Sequence, residues 1–235
     1  MNMDRPTSGG LIEHIERHLG TIIEGWPEEI DGVAAPCMVV RTERGPTDGS
    51  QTLVTLGLSK SLLALSDDRT VRLELVVAFR DRARVGHFPG VLRDLARECV
   101  QRGKAVARGQ VLGPRGTLVE DTRLAALYVS NPVYFPAPFR RFDPPSGGPI
   151  VFVWLVPITA AEADYVGTHG WQAFEQRLEE VDPDLLDFDR ADVAEPEGSP
   201  VQPESGDEHQ PRTATRQPTN RDEARHRSGF ARVHR

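Results

Sequence analysis

The stretch IVFVWLVPITAAEADYVGTHGWQAFEQRLEE, residues 150–180, decides the fold class. From Ile150 to Val156 every position is apolar except for the indole nitrogen of Trp154. A strand with no polar face is buried on both sides. Pro157 closes the run, and Thr159, Ala160, Ala161 and Glu162 then form a capping box. In that motif the Thr hydroxyl and the Glu carboxylate each satisfy a backbone N–H left without a partner at a helix start. A helix therefore begins immediately after the strand. Its continuation through Gly170 into Trp171, Phe174 and Leu178 predicts two consecutive helices rather than one.

Upstream, Leu11, Ile12, Ile15 and Leu19 recur at helical spacing, with Gly20 placed for a C-terminal cap, so a first amphipathic helix spans Leu11 to Leu19. Cys37 to Thr42, Thr52 to Leu58 and Val71 to Phe79 are rich in β-branched and aliphatic residues and bounded by Gly, Pro, Asp or Ser; they read as strands. Pro89, Val91, Leu92, Leu95, Ala96, Cys99 and Val100 form a central helix, with the proline in its first turn and Gly103 beyond its end. Leu124 to Ser130 is a further strand. The order implies a single α+β (mixed α/β) domain, a mixed β-sheet flanked by helices, over residues 11–193. Residues 1–10 read as a flexible N-terminus.

From Ala191 onward the chain has no Leu, Ile, Met, Trp or Tyr, and its only large apolar residues are three valines and Phe230. Such a segment does not offset its ordering entropy by burial. Residues 191–210 hold six acids and no Lys or Arg, whereas residues 211–235 hold seven Arg against two acids. Residues 194–235 are thus expected to be a disordered, charge-segregated tail. The remaining 190 residues carry 21 basic and 27 acidic side chains, so the acidity of the chain (net −7) belongs to the folded part. That balance argues against nucleic acid as a partner, because neutralising phosphates needs clustered Lys and Arg. No apolar run reaches the roughly 20 residues a membrane helix needs, and the N-terminus has no leader-like apolar segment, so a cytoplasmic protein is expected. Cys37 and Cys99 are then expected to be reduced and buried.

Motifs for chemistry fall short. His14 and His18 are four apart on the first helix, but Ile15 stands where a zinc protease needs Glu, and no third ligand follows. Both lie off the Leu11, Ile15, Leu19 stripe and read as a solvated helix face. Gly57, Leu58, Ser59, Lys60, Ser61 resembles a nucleophile elbow until its last position, where glycine is required. Gly103 and Lys104 lack the remainder of a phosphate-binding loop. Asp182, Asp184, Asp187 and Asp189 are interrupted by Pro183 and lack the glycine of a calcium loop. No catalytic residue, metal or cofactor is assigned.

The ordered blocks TLVTLGLSKSLL (52–63), RLELVVAF (72–79), FPGVLRDLARECV (88–100), GQVLGP (109–114), LYVSNP (127–132), VFVWLVPITAAEADYVGTHGWQAFEQRLEE (151–180) and DLLDFDRADV (184–193) resemble the suppressor of fused family. The resemblance covers about residues 11–193. It implies an α/β domain similar to the N-terminal lobe of the animal protein, which restrains a transcription factor by clamping a peptide strand between two lobes. The residues after 193 offer no second lobe, so that manner of clamping is not expected. Single-lobe bacterial relatives look like immunity proteins, which bind and block a cognate toxin domain. The expected function is therefore non-enzymatic protein binding, with a basic toxin domain as partner and a cytoplasmic regulatory scaffold as the alternative. The acidic stretch Asp182, Asp184, Asp187, Asp189 is the first expected contact surface; the second is the loop from Ser59 to Asp68 with Lys60, Asp67 and Asp68.

Overall fold

The computed structural model describes residues 10–27, 29–30, 33–66, 68–81, 85–114 and 116–194. Helix α1 (Leu11–Leu19) turns Ile15 and Leu19 into the core, and Gly20, at φ +73°, ends it with its N–H on the Glu16 carbonyl. Strands β1 (Ile22–Trp26), β2 (Glu29–Ile30), β3 (Val33–Ala34), β4 (Met38–Thr42) and β5 (Ser50–Leu56) follow. A 3-10 turn (Leu58–Lys60) leads to β6 (Leu63–Ser66) and the long β7 (Arg69–Arg80). After α2 (Phe88–Arg102) come β8 (Val111–Leu112), β9 (Leu124–Ser130), β10 (Arg141–Phe142) and β11 (Ile150–Thr159), then α3 (Ala160–His169) and α4 (Trp171–Val181). The capping box of Thr159 and Glu162 is present, and Gly170 separates the last two helices.

The main sheet runs β1-β4-β5-β7-β11-β9-β8, with β6 added to β7 and β10 to β11; β2 and β3 form a separate hairpin. Every pair is antiparallel except β7 with β11. Both parallel strands carry long apolar stretches. On β7, Leu73, Leu75, Val77 and Phe79 point to the layer holding α2, while Val76 and Ala78 point to the layer holding α1, α3 and α4. Burial on both faces is why these strands read as continuous apolar runs. Cys37 and Cys99 are buried in the α2 layer and are not joined in a disulfide.

Two expectations change. Pro157 does not end the strand: β11 continues to Thr159, with Pro157 opposite Leu127. The β7 register on β11 stops at Val76–Trp154, so beyond that point β11 is paired on one side only, where a residue without an N–H is tolerated. His14 is not solvated. It is 6% exposed, its Nε2 lies 3.0 Å from the Phe139 carbonyl, and its ring packs against Phe139, Phe142 and Phe152. The aromatic residues that cover it come from 139–152, far from the helix in sequence.

Residues 183–193 cross the ends of β7 and β11 where their pairing stops. The Arg80 N–H donates to the Leu186 carbonyl, and Phe188 packs on Phe79 and Phe88. Arg190, nearly buried, pairs with the fully buried Glu162 of α3, and its Nη2 lies 3.4 Å from the Pro157 carbonyl. Glu162 also accepts from the Val193 N–H.

Candidate functional site

The second expected surface, Ser59 to Asp68, is not a loop. Ser59 and Lys60 lie in the 3-10 turn, and β6 pairs with β7. Ser59 is buried and turned inward, a correction to its expected place on a contact face. Its N–H and its hydroxyl both donate to Glu74 Oε1, at 3.1 and 2.7 Å. The Gly57 N–H donates to the same oxygen at 3.0 Å, and Thr55 Oγ1 to Oε2 at 2.6 Å. Gly57 takes a left-handed conformation (φ +118°), which brings two N–H groups of the turn to one carboxylate. Burial raises the Glu74 pKa, and these four hydrogen bonds pull it back. Within the LELV run, therefore, Glu74 anchors the GLS turn. Lys60 and Asp68 are exposed; Asp67 lies outside the described residues.

The acidic stretch divides by role. Asp184 is tied to Arg80, with both guanidinium contacts at 2.7 Å, and its other oxygen accepts from the Leu186 N–H. Asp187 Oδ1 accepts from the Asp189 N–H. These two shape the crossing segment. Asp182 and Asp189 are exposed.

Asp182 opens onto a cleft of about 180 Å³ between α4, β9, β11 and residues 131–134. Its floor is Tyr128, Trp154, Val156 and Leu178, and its rim is Glu179, Asp182 and Tyr134. Arg108, also on the rim, is clamped by both oxygens of Glu175, and the Tyr128 hydroxyl donates to Glu175 at 2.9 Å. Arg108 also lies over the Trp171 ring, 5.0 Å from its centre. Trp171 sits hard against Gly109, where a Cβ would fall 2.6 Å from the indole, so the glycine of the GQVLGP block is required by packing. Burial, together with the charges of Asp182 and Asp184, raises the Tyr134 pKa, marking a negative field at the rim. Trp154 is fully buried, as its all-apolar strand predicts, but its indole N–H has no hydrogen-bond partner.

A second groove, about 350 Å³, lies between the end of α2 and β8, lined by Leu95, Cys99, Lys104, Ala105, Val106 and Gln110 among others. Strand β8 ends the sheet. Nothing in the sequence of its two residues marks it as an edge; the topology does. Among the described residues no three His, Cys, Asp or Glu side chains are gathered as metal ligands, and no helix is long and apolar enough to cross a membrane.

A mixed sheet with helices on both faces, an open edge and an acidic aromatic cleft define an α+β domain. The chain belongs to the suppressor of fused protein family, whose model matches residues 27–191. Among solved structures it is similar to a suppressor of fused homologue from Neisseria gonorrhoeae FA 1090 (TM-score 0.61, 19% identity, covering 77% of this chain and 93% of that one). It is also similar to a chain of the Sufu–Fu complex (TM-score 0.58, 16% identity, 78% and 90% covered). Drosophila Suppressor of Fused matches with a TM-score of 0.50 and 17% identity over 68% of this chain, which spans 43% of that protein. Comparison with curated proteins gives no match.

Proposed function

We propose that this chain is a non-enzymatic protein-binding domain, and that it acts as an immunity protein that holds and blocks a cognate toxin domain in the cytoplasm. The observation that carries the reading is the groove beside β8. An unpaired sheet edge next to a concave, partly apolar surface is a site where an extended segment of another protein can add its backbone to the sheet. A relative of this fold has been solved as the Sufu–Fu complex, which supports protein binding as the use of the fold. The acidity of residues 1–190 suits a basic partner such as a nuclease-type toxin, because complementary charge speeds encounter.

The test is capture of the partner from the host with the full chain, followed by titration of the partner's own activity. An immunity protein abolishes that activity at equimolar ratio. A bound partner that stays fully active refutes toxin neutralisation and leaves a regulatory scaffold. Ala105→Trp, which fills the groove, is expected to weaken the complex at least tenfold; unchanged affinity places the contact elsewhere.

A further inference from the structure

We infer that the cleft between α4 and β9 is a socket for one arginine or lysine side chain of a protein partner, together with that residue's backbone carbonyl. The inference rests on the protein-binding reading above but concerns a different surface from the groove beside β8. Three independent features of the cleft agree on this occupant. The first is charge. Arg108 is neutralised by the two-oxygen contact with Glu175, whereas neither Glu179 nor Asp182 forms an ion pair or accepts a side-chain hydrogen bond among the described residues. The second is the end of α4. Its last carbonyls carry the negative end of the helix dipole, and its last turn holds no basic residue to offset it. A cation docked beside Asp182, the C-terminal cap of this helix, meets all of these charges at once. The third is the unpartnered, buried indole N–H of Trp154, a residue of the floor of the same cleft. A buried donor without an acceptor is costly, and a carbonyl supplied by a bound segment satisfies it.

The apolar surface between these charges fits the occupant. Leu178 and Leu185 line the cleft beside Tyr134, whose ring centre lies 4.9 Å from that of Trp154. An arginine or lysine buries its methylene stem on such a surface while its charged head stays at the rim. The Tyr134 ring adds an electron-rich face for the cation. A carboxylate ligand would face the negative charges of Glu179 and Asp182, and a purely apolar one would leave the indole N–H unsatisfied.

The experiment uses the ¹⁵N-labelled full chain, in which the indole signals of Trp26, Trp154 and Trp171 are separated by Trp154→Phe. The probe is a capped Ala-Arg-Ala peptide, with capped Ala-citrulline-Ala as its neutral counterpart of nearly equal shape. The arginine peptide is expected to shift the Trp154 signal saturably and to bind at least tenfold more tightly than the citrulline peptide. Glu179→Gln with Asp182→Asn is expected to lower that affinity at least tenfold while the Trp26 and Trp171 signals stay in place. Asn tolerates the left-handed conformation of position 182 (φ 48°), so the variant keeps the cap. An unmoved Trp154 signal, equal binding of both peptides, or undiminished binding by the double variant overturns the socket. Each leaves the partner titration and the Ala105→Trp affinity standing, since those read the partner's activity and the groove, whereas the peptide titration reads the cleft.

Discussion

Replacing Glu74 by alanine tests whether one buried carboxylate organises the turn that the sequence presents as GLSKS. In the native fold Oε1 receives the Gly57 N–H, the Ser59 N–H and the Ser59 hydroxyl, and Oε2 receives the Thr55 hydroxyl. The hydroxyls have freedom to turn elsewhere, and Thr55 Oγ1 still accepts from the Leu75 N–H. The two backbone N–H groups have no alternative acceptor in the turn. Each stranded donor costs about 1–3 kcal/mol, and the space left by the side chain adds to that, so Glu74→Ala is expected to lose about 3–6 kcal/mol. That is a large part of the roughly 5–15 kcal/mol available to a domain. Glu74→Gln keeps an oxygen where three donors converge and turns its NH₂ toward Thr55 Oγ1, which can accept; its loss should be less than half that of alanine. Urea denaturation followed by far-UV circular dichroism measures both. An alanine variant within about 1 kcal/mol of wild type, or a glutamine variant as damaged as alanine, refutes the reasoning.

Trp154→Ala removes a fully buried indole packed on Tyr134 and Phe135 and should cost about 3–5 kcal/mol in the same assay. Truncation after Ala194 is expected to move Tm by less than about 2 °C, because the residues removed contain no Leu, Ile, Met, Trp or Tyr. Truncation after Asp189 removes Arg190, strands the buried charge of Glu162 and should cost about 3–5 kcal/mol; equal melting of the two truncations contradicts the role given to Arg190. Burial holds the His14 pKa below 6.5, so below that pH the unfolded chain binds a proton that the folded chain refuses. Stability should therefore fall as pH drops from 7 to 5.5, with His14 contributing a slope of up to about 1.4 kcal/mol per unit; His14→Gln should reduce the slope, leaving the part due to His18, whose pKa burial also lowers.

Several elements were legible because their signals are local. Helix α1 has its predicted bounds, β9 likewise, and the upstream strands lie within two residues of their expected ends. The candidate sites were less legible. Asp184 reads as one of four equivalent acids, yet Arg80, 104 residues away, makes it part of the framework. Ser59 reads as a surface loop residue, yet Glu74 draws it inward. The cleft joins residues 128, 154 and 182, and no window of sequence contains all three.

By itself the sequence determined the class of fold, the order of its main elements, the capping box at Thr159 and the burial of Trp154. These follow from hydrophobic period, capping chemistry and the lack of any polar face on β11, all properties of a few neighbouring residues. The tertiary structure alone decided that β7 and β11 pair in parallel and part at Trp154, that residues 183–193 cross the opening, and that β8 is an edge. It also decided which charges are spent: Asp184, Glu162 and Glu175 on arginines of the fold, with Glu179 and Asp182 left over. Pairing between distant residues depends on chain topology, and a charge becomes available to a partner only after the fold has taken the ones it needs.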